Sequence, residues 1–378
     1  MSYLLRRLPL SRLLLLCGLV VLLGISATAL ASALSAGPTP PAKPLAQAIH
    51  DALAGASGES VQGVSANIVL TDHLLEGASL ASGGEGSSAA GQLASSPLLT
   101  GGSGRMWIAK NGRVRLELQA EKGDTQVLYD GHTVSVYDAS SNTLYRYTIP
   151  AQKGDTATDP TTTSPEHHEV PTVAKIEEAI SHLDHVNVSG ATPADVAGRA
   201  AYTVRISPKE SGSEIGGGEL SFDAANGIPL RAAIYSSNSP SSPALELAAS
   251  EISYGPVADS VFSVTPPPDA KIEEVKPPEG AAKSTGPSAA QSGDHPLLST
   301  SGHGPATVAV IESKTKESTA KSPSAMTEGL QKVKIGSIEA SELPTALGTL
   351  LSFERSGVRY VLGGFVAPSA VETVAKGL

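Results

Sequence analysis

Turn signals recur about every ten residues between positions 104 and 149, and no other feature restricts the fold so sharply. Residues 106–109 (MWIA) read as a short strand, and Asn111–Gly112 is a two-residue hairpin turn. Residues 113–118 then alternate, with Val114, Leu116 and Leu118 on one side and Arg113, Arg115 and Glu117 on the other. Gly123–Asp124, Asp130–Gly131 and residues 140–142 turn the chain again, separating strands at 126–129, 134–137 and 144–149. The pattern predicts an antiparallel meander with one apolar side, which must be buried or cover a cavity. Alternation places Val114, Leu116, Leu118, Val134 and Val136 on that concave side. Trp107, Tyr129, Tyr137, Tyr145 and Tyr147 suit its rim, with apolar rings and polar tips. Cross-strand packing is the plainer use of the same rings.

Strands also fit residues 64–70, 186–188, 200–206, 218–222, 230–235, 245–252 and 261–264, with a hairpin signal at Asn226–Gly227. Two helices are predicted beside them. Leu45, Ala48, Ile49, Ala52 and Leu53 recur at helical spacing after Pro44, and Val173, Ile176, Ile180 and Leu183 do so between 172 and 183. Residues 77–104 form a Gly/Ser/Ala/Leu-rich insertion, and 153–165 a Thr/Asp/Pro loop. A Pro/Ser/Gly-rich linker at 269–302 leads to a smaller unit at 303–378, with strands expected at 306–311, 333–338 and 358–362 and helices at 341–351 and 368–378.

The first 36 residues carry a different message. Arg6, Arg7 and Arg12 precede an apolar run that becomes rich in Ala and Ser, as in a secretory signal. The run also approaches the ~20 residues that span a bilayer, so an uncleaved N-terminal anchor fits equally. Either reading places the rest of the chain outside the cytoplasmic membrane. The single cysteine, Cys17, lies inside this run, so no disulfide or thiolate zinc site can form in the exported part. A net charge of −10 argues against a nucleic-acid partner, which requires a basic face.

Covalent chemistry finds little support. Glu166-His167-His168-Glu169 lies in a Pro-bounded loop, and His182-x-x-His185 sits at a helix end; neither has the HExxH arrangement, so no metal is expected. Ser103 lacks the strand–elbow–helix context of a hydrolase nucleophile, and Ser318-x-x-Lys321 falls in a low-complexity stretch. The chain has no P-loop and no GxGxxG motif. No enzyme activity, catalytic residue or cofactor is expected.

Several motifs occur together in order. They are Gly104-Arg105-Met106-Trp107-Ile108, Arg113-Val114-Arg115, Tyr129-Asp130-Gly131 and Tyr137-Asp138, then residues 196–204 (VAGRAAYTV), then Phe222-Asp223 with Ile228-Pro229-Leu230. This series resembles the LolA-like superfamily of lipoprotein carriers. Residues 357–368 (GVRYVLGGFVAP), followed by an Ala-rich helix, resemble the end of MucB/RseB-type proteins. The resemblance implies an α+β fold, a LolA-like half-barrel whose curved antiparallel sheet is covered by helices, plus a small C-terminal α/β domain. The half-barrel would occupy residues 44–268.

It also implies a function. Trp107, Val114, Leu116, Leu118, Val134, Val136, Tyr145 and Tyr147 would form the ligand-binding apolar face, holding a lipid or a lipoprotein acyl chain. Lys110 stands where the carriers have an Arg that ties down the cover helices; a point charge there loses a bidentate latch. The alternative is a MucB/RseB-like regulator binding an anti-sigma factor or another envelope protein. Its localisation would be the cell envelope, periplasm or extracellular side, with the membrane involved through the N-terminal segment if that is uncleaved.

Overall fold

The computed structural model describes residues 37–58, 61–76, 97–121, 123–149, 170–263, 266–275, 297–314 and 330–378. The N-terminal segment, the Glu166–Glu169 cluster and the Ser318/Lys321 pair all lie outside them.

Thirteen strands form one curved, unclosed sheet. They are β1 (Gly63–Asp72), β2 (Gly102–Ala109), β3 (Val114–Ala120), β4 (Gly123–Tyr129), β5 (Thr133–Asp138), β6 (Thr143–Thr148), β7 (Val186–Val188), β8 (Thr192–Val196), β9 (Arg199–Pro208), β10 (Ile215–Asp223), β11 (Pro229–Ser236), β12 (Ser239–Tyr254) and β13 (Lys271–Glu274). Their spatial order is β13-β6-β5-β4-β3-β2-β1-β12-β11-β10-β9-β7, with β8 beside β9. The expected meander is the run from β2 to β6, and every pair in it is antiparallel. Only β13 runs parallel to its neighbour, β6. Irregularities at Asn67/Ile68, Ser221/Phe222 and Ile234/Tyr235 interrupt the register, and such bulges bend and twist a strand. Gly104 is demanded by close approach: a Cβ there would lie 1.7 Å from the carbonyl oxygen of Glu117.

Among the described residues three helices accompany this sheet: α1 (Leu45–Gly58), α2 (Pro97–Thr100) and α3 (Val173–Ser181). Helix α1 packs Leu45, Ala48, Ile49 and Ala52 on Tyr202, Val204 and Phe222, as its spacing predicts. Leu53, expected on the same stripe, is 40% exposed. The segment before α1 is also held, since the Tyr202 hydroxyl donates to the carbonyl of Pro41 at 2.7 Å. Thr172 caps α3 as its hydroxyl accepts from the amide of Lys175, and Ile176 is that helix's buried residue.

A second sheet, ordered β14-β15-β19-β18-β17-β16, comprises β14 (Leu297–Ser301), β15 (Val308–Lys314), β16 (Gln331–Ile335), β17 (Ile338–Thr345), β18 (Gly348–Arg355) and β19 (Val358–Gly364). It is antiparallel throughout, and α4 (Pro368–Lys376) covers one face through Val371 and Ala375. The helix expected at 341–351 is instead the β17–β18 hairpin. Leucines at 343, 347, 350 and 351 imitate a helical stripe, but Pro344 has no amide proton to give a helix. The turn is closed by the Thr345 hydroxyl donating to Gly348 O at 2.8 Å. Inward alternation of Ala340, Leu351 and Phe353 then completes the core.

The strand expected at 261–264 is also corrected. Asp259–Phe262 is a 3-10 turn. It buries Phe262 beneath the guanidinium of Arg113, 4.7 Å from the ring centre, while Asp259 pairs with the same arginine.

Candidate functional site: an apolar sheet face

Residues directly opposite on paired strands point to the same side of a sheet, so the register assigns each side chain to a face. Starting from Ala66 on β1, the partner series runs through Met106 and Leu116 to Val127, Val136 and Tyr145. A neighbouring series links Ile108, Val114, Tyr129, Val134 and Tyr147. In the other direction Ile68 and Leu70 lead to Ala249 and Leu247, then to Ala232, Leu220 and Val204. One apolar face therefore extends from β6 to β9.

Its cover is uneven. Leu98 of α2 packs with Ala66, Ile68, Leu118, Leu116 and Met106, so this part is dry core. Helix α1 seals Tyr202, Val204 and Phe222. Between these two covers the face is open: Ile206, Leu220 and Ile234 are 42%, 41% and 38% exposed, against 1% for Leu118. Ala232 beside them is exposed as well, and Leu245 and Leu247 are half-buried. At the far side, Val127, Tyr129, Val134, Val136, Tyr145 and Tyr147 are also half-buried.

Seven of the eight side chains expected on the apolar face share it: Val114, Leu116, Leu118, Val134, Val136, Tyr145 and Tyr147. Trp107 does not. It lies opposite Ser65 and Arg115, on the polar face, because the strand places Met106 and Ile108 inward. Lys110 stands exposed in the β2–β3 turn, and among the described residues it makes no hydrogen bond or ion pair with a cover helix. His182 and His185, weighed as metal ligands, belong to no group of three potential ligands among the described residues.

The open patch on β9, β10 and β11 was missed by sequence reasoning. Alternation is masked there because the reverse face also buries apolar groups, Ala233 and Tyr235 among them. The usable signal was Ile206 and Leu220, each two residues from a residue that faces the core, Val204 and Phe222.

The reverse face carries charge. Glu219 accepts from Arg205 at 3.0 Å, from Arg231 at 2.9 Å and from the Tyr235 hydroxyl at 2.8 Å, and Arg231 also pairs with Glu246 at 2.5 Å. Burial works to raise the Glu219 carboxyl, but hydrogen bonds from Arg231, Tyr235 and Arg205 win and hold it below the usual range. This ladder ties β9 to β12 from behind and leaves the opposite face free of charge.

At one end of the strands Asp223, 1% exposed, gathers three donors: Arg199 Nε at 2.8 Å, the Tyr254 hydroxyl at 2.7 Å and the amide of Ala225 at 2.8 Å. Burial opposes its charge, yet Tyr254, Ala225 and Arg199 together keep the carboxyl below the ordinary range. Burial and the bond to Asp223 push Tyr254 up to about 12.

No family model matches the sequence, and no curated protein matches it. Among solved structures, MucB in complex with MucA(peri) is similar over 87% of this chain and 97% of that chain, at 14% identity and a TM-score of 0.38. The Pseudomonas aeruginosa MucA/MucB complex is similar over 86% and 96%, at 13% identity and 0.36. A LolA superfamily protein from Nitrosomonas europaea is similar over 59% of this chain and 99% of that chain, at 10% identity and 0.22. The solved structures similar to this chain thus include both groups that its motifs resemble.

Proposed function

We propose that the protein is an exported, non-enzymatic binder of a lipid or lipoprotein acyl chain, held on the apolar face between α1 and α2. The observation that carries this reading is the open patch of Ile206, Leu220 and Ile234, which continues the covered core without a polar break. Contiguous exposed apolar surface marks a binding site, and an acyl chain laid there gains about 0.8 kcal/mol for each buried methylene. No covalent step belongs to this mechanism: partition onto the face binds the chain, and displacement of α1 releases it.

Native mass spectrometry of the protein purified from the envelope of an expressing bacterium tests the reading. Near-stoichiometric lipid or acylated peptide, lost in Leu220→Asp and Ile234→Asp, supports it. A clean protein mass with no uptake of added lipid removes it.

A second reading, a regulator binding an anti-sigma factor or other envelope partner through both sheets, has its own observation. The two sheets are joined by hydrogen bonds: Glu214 N and Ser213 Oγ donate to Phe365 O at 2.8 and 2.9 Å, and Ala346 N donates to Leu74 O at 2.8 Å. Such coupling gives a partner one composite surface. A lipid-free protein that captures an envelope polypeptide, and loses that capture when Ser213→Ala removes the hydroxyl that donates to Phe365 O, would favour it.

A further inference from the structure

On the polar face, where β12, β1 and β2 lie side by side, there is a hollow of about 280 Å³. Two rows of side chains define it. In the first, Trp107 lies opposite Ser65, and Ser65 opposite Ser253; in the second, Arg105 lies opposite Asn67, and Asn67 opposite Glu251. The two serines are short, so the indole stands as a wall above a floor of hydroxyls.

The polar groups are partly committed and partly open. Asn67 Nδ2 donates to Glu251 Oε2 at 2.8 Å, which orients both side chains and leaves Asn67 Oδ1 and the second Glu251 oxygen as acceptors. Arg105 is exposed and makes no hydrogen bond or ion pair among the described residues. Arg115 flanks the indole, 5.9 Å from its ring centre, but its guanidinium already donates to Val261 O at 2.6 Å and pairs with Glu117.

Other ligand classes fit poorly. The main chain of β1 is hydrogen-bonded to β2 on one side and β12 on the other, so a peptide cannot add as a strand. An acyl chain would meet one aromatic ring among polar groups. A phosphate would meet the Arg105 guanidinium with the Glu251 carboxylate two strands away in the same row. A sugar ring matches the hollow: its C–H face lies on an indole, and its rim of hydroxyls finds both donors and acceptors. We propose that this hollow is a saccharide-binding site, with Trp107 as the stacking platform and Arg105, Asn67 and Glu251 as hydroxyl partners.

Trp107 is the only tryptophan in the chain, so its emission reports this site alone. The full protein is titrated with chitotriose and with maltotriose, followed by tryptophan emission and by calorimetry. A saturable change with either sugar at a Kd of ~1 mM or tighter is expected. Arg105→Ala should weaken it at least ~10-fold without moving the melting temperature, and Trp107→Ala should abolish the calorimetric signal. No saturable change or heat with either sugar overturns the proposal, as does binding that survives both Arg105→Ala and Asn67→Ala. A Gly/Ser-rich hexapeptide that binds as tightly as the sugars overturns the saccharide assignment.

Discussion

The hydroxyl of Tyr254, at the end of β12, donates a 2.7 Å hydrogen bond to Oδ2 of Asp223, at the end of β10. Arg199 donates to the same oxygen and lays its guanidinium over the Tyr254 ring, 4.8 Å from the centre. The start of β9, β10 and β12 are thereby fastened at one buried carboxylate, close to the C-terminal end of α1. Tyr254→Phe removes one donor from a buried charge and should cost about 1–3 kcal/mol in urea unfolding. Because the folded carboxyl of Asp223 is held low, its contribution is complete above the unfolded value of 3.8 and is lost as pH falls through the folded value. Asp223→Asn should therefore lose its stability deficit relative to the wild type in strong acid.

The apolar face makes a contrast between two leucines. Leu118 is 1% exposed beneath Leu98, and Leu220 is 41% exposed on the open patch. Leu118→Asp buries an unpaired charge and should cost more than ~4 kcal/mol, whereas Leu220→Asp should stay within ~0.5 kcal/mol of wild type. Denaturant midpoints of the two variants, read beside lipid co-purification, separate damage to the core from damage to the site. A Leu220→Asp protein that unfolds like Leu118→Asp would mean that the patch is covered.

Legibility followed the physics of each segment. From β2 to β6 one face is apolar and the reverse is largely polar, so alternation puts Val114, Leu116, Leu118, Val134 and Val136 on one face, as the strand register does. Trp107 misled because an aromatic side chain carries no label for its face; its register is fixed by Met106 and Ile108. The β17–β18 hairpin was hidden because Leu343, Leu347 and Leu350 satisfy a helical period by accident, and the decisive facts, Pro344 and the Thr345–Gly348 turn, are local. The open patch needs strand pairing across β9, β10 and β11, which no single stretch of sequence contains.

Gly104 offers a strict test of the β2–β3 pairing. A methyl group there would lie 1.7 Å from the Glu117 carbonyl oxygen, and a backbone atom in the centre of a sheet cannot move aside cheaply. Gly104→Ala should cost at least ~2 kcal/mol and loosen amide protection along β2 and β3 in hydrogen exchange. Gly112→Ala is the control: its φ of +80° carries strain, but no atom lies within 4 Å, so its loss should be smaller and confined to the turn.

In the second sheet Glu342 occupies a position meant for an apolar side chain. It pairs across with Leu351 and is only 5% exposed, on the face covered by α4, and its Oε1 has no hydrogen-bond partner. Burial, with repulsion from Glu372 added, pushes its carboxyl above the ordinary glutamate value of 4.5. The folded state thus holds the proton more tightly than the unfolded chain does, so stability is greatest in acid. It declines as pH rises from about 4.5 through the folded value, and is constant above that. Glu342→Gln should flatten this decline. Glu342→Met should add about 1–3 kcal/mol at neutral pH, since an unpaired buried charge is exchanged for packing. Thermal melts of the three proteins between pH 4 and pH 8, with the wild type falling toward neutrality while Glu342→Met holds level, would establish the carboxylate as the cause; parallel curves would assign the pH dependence to other groups.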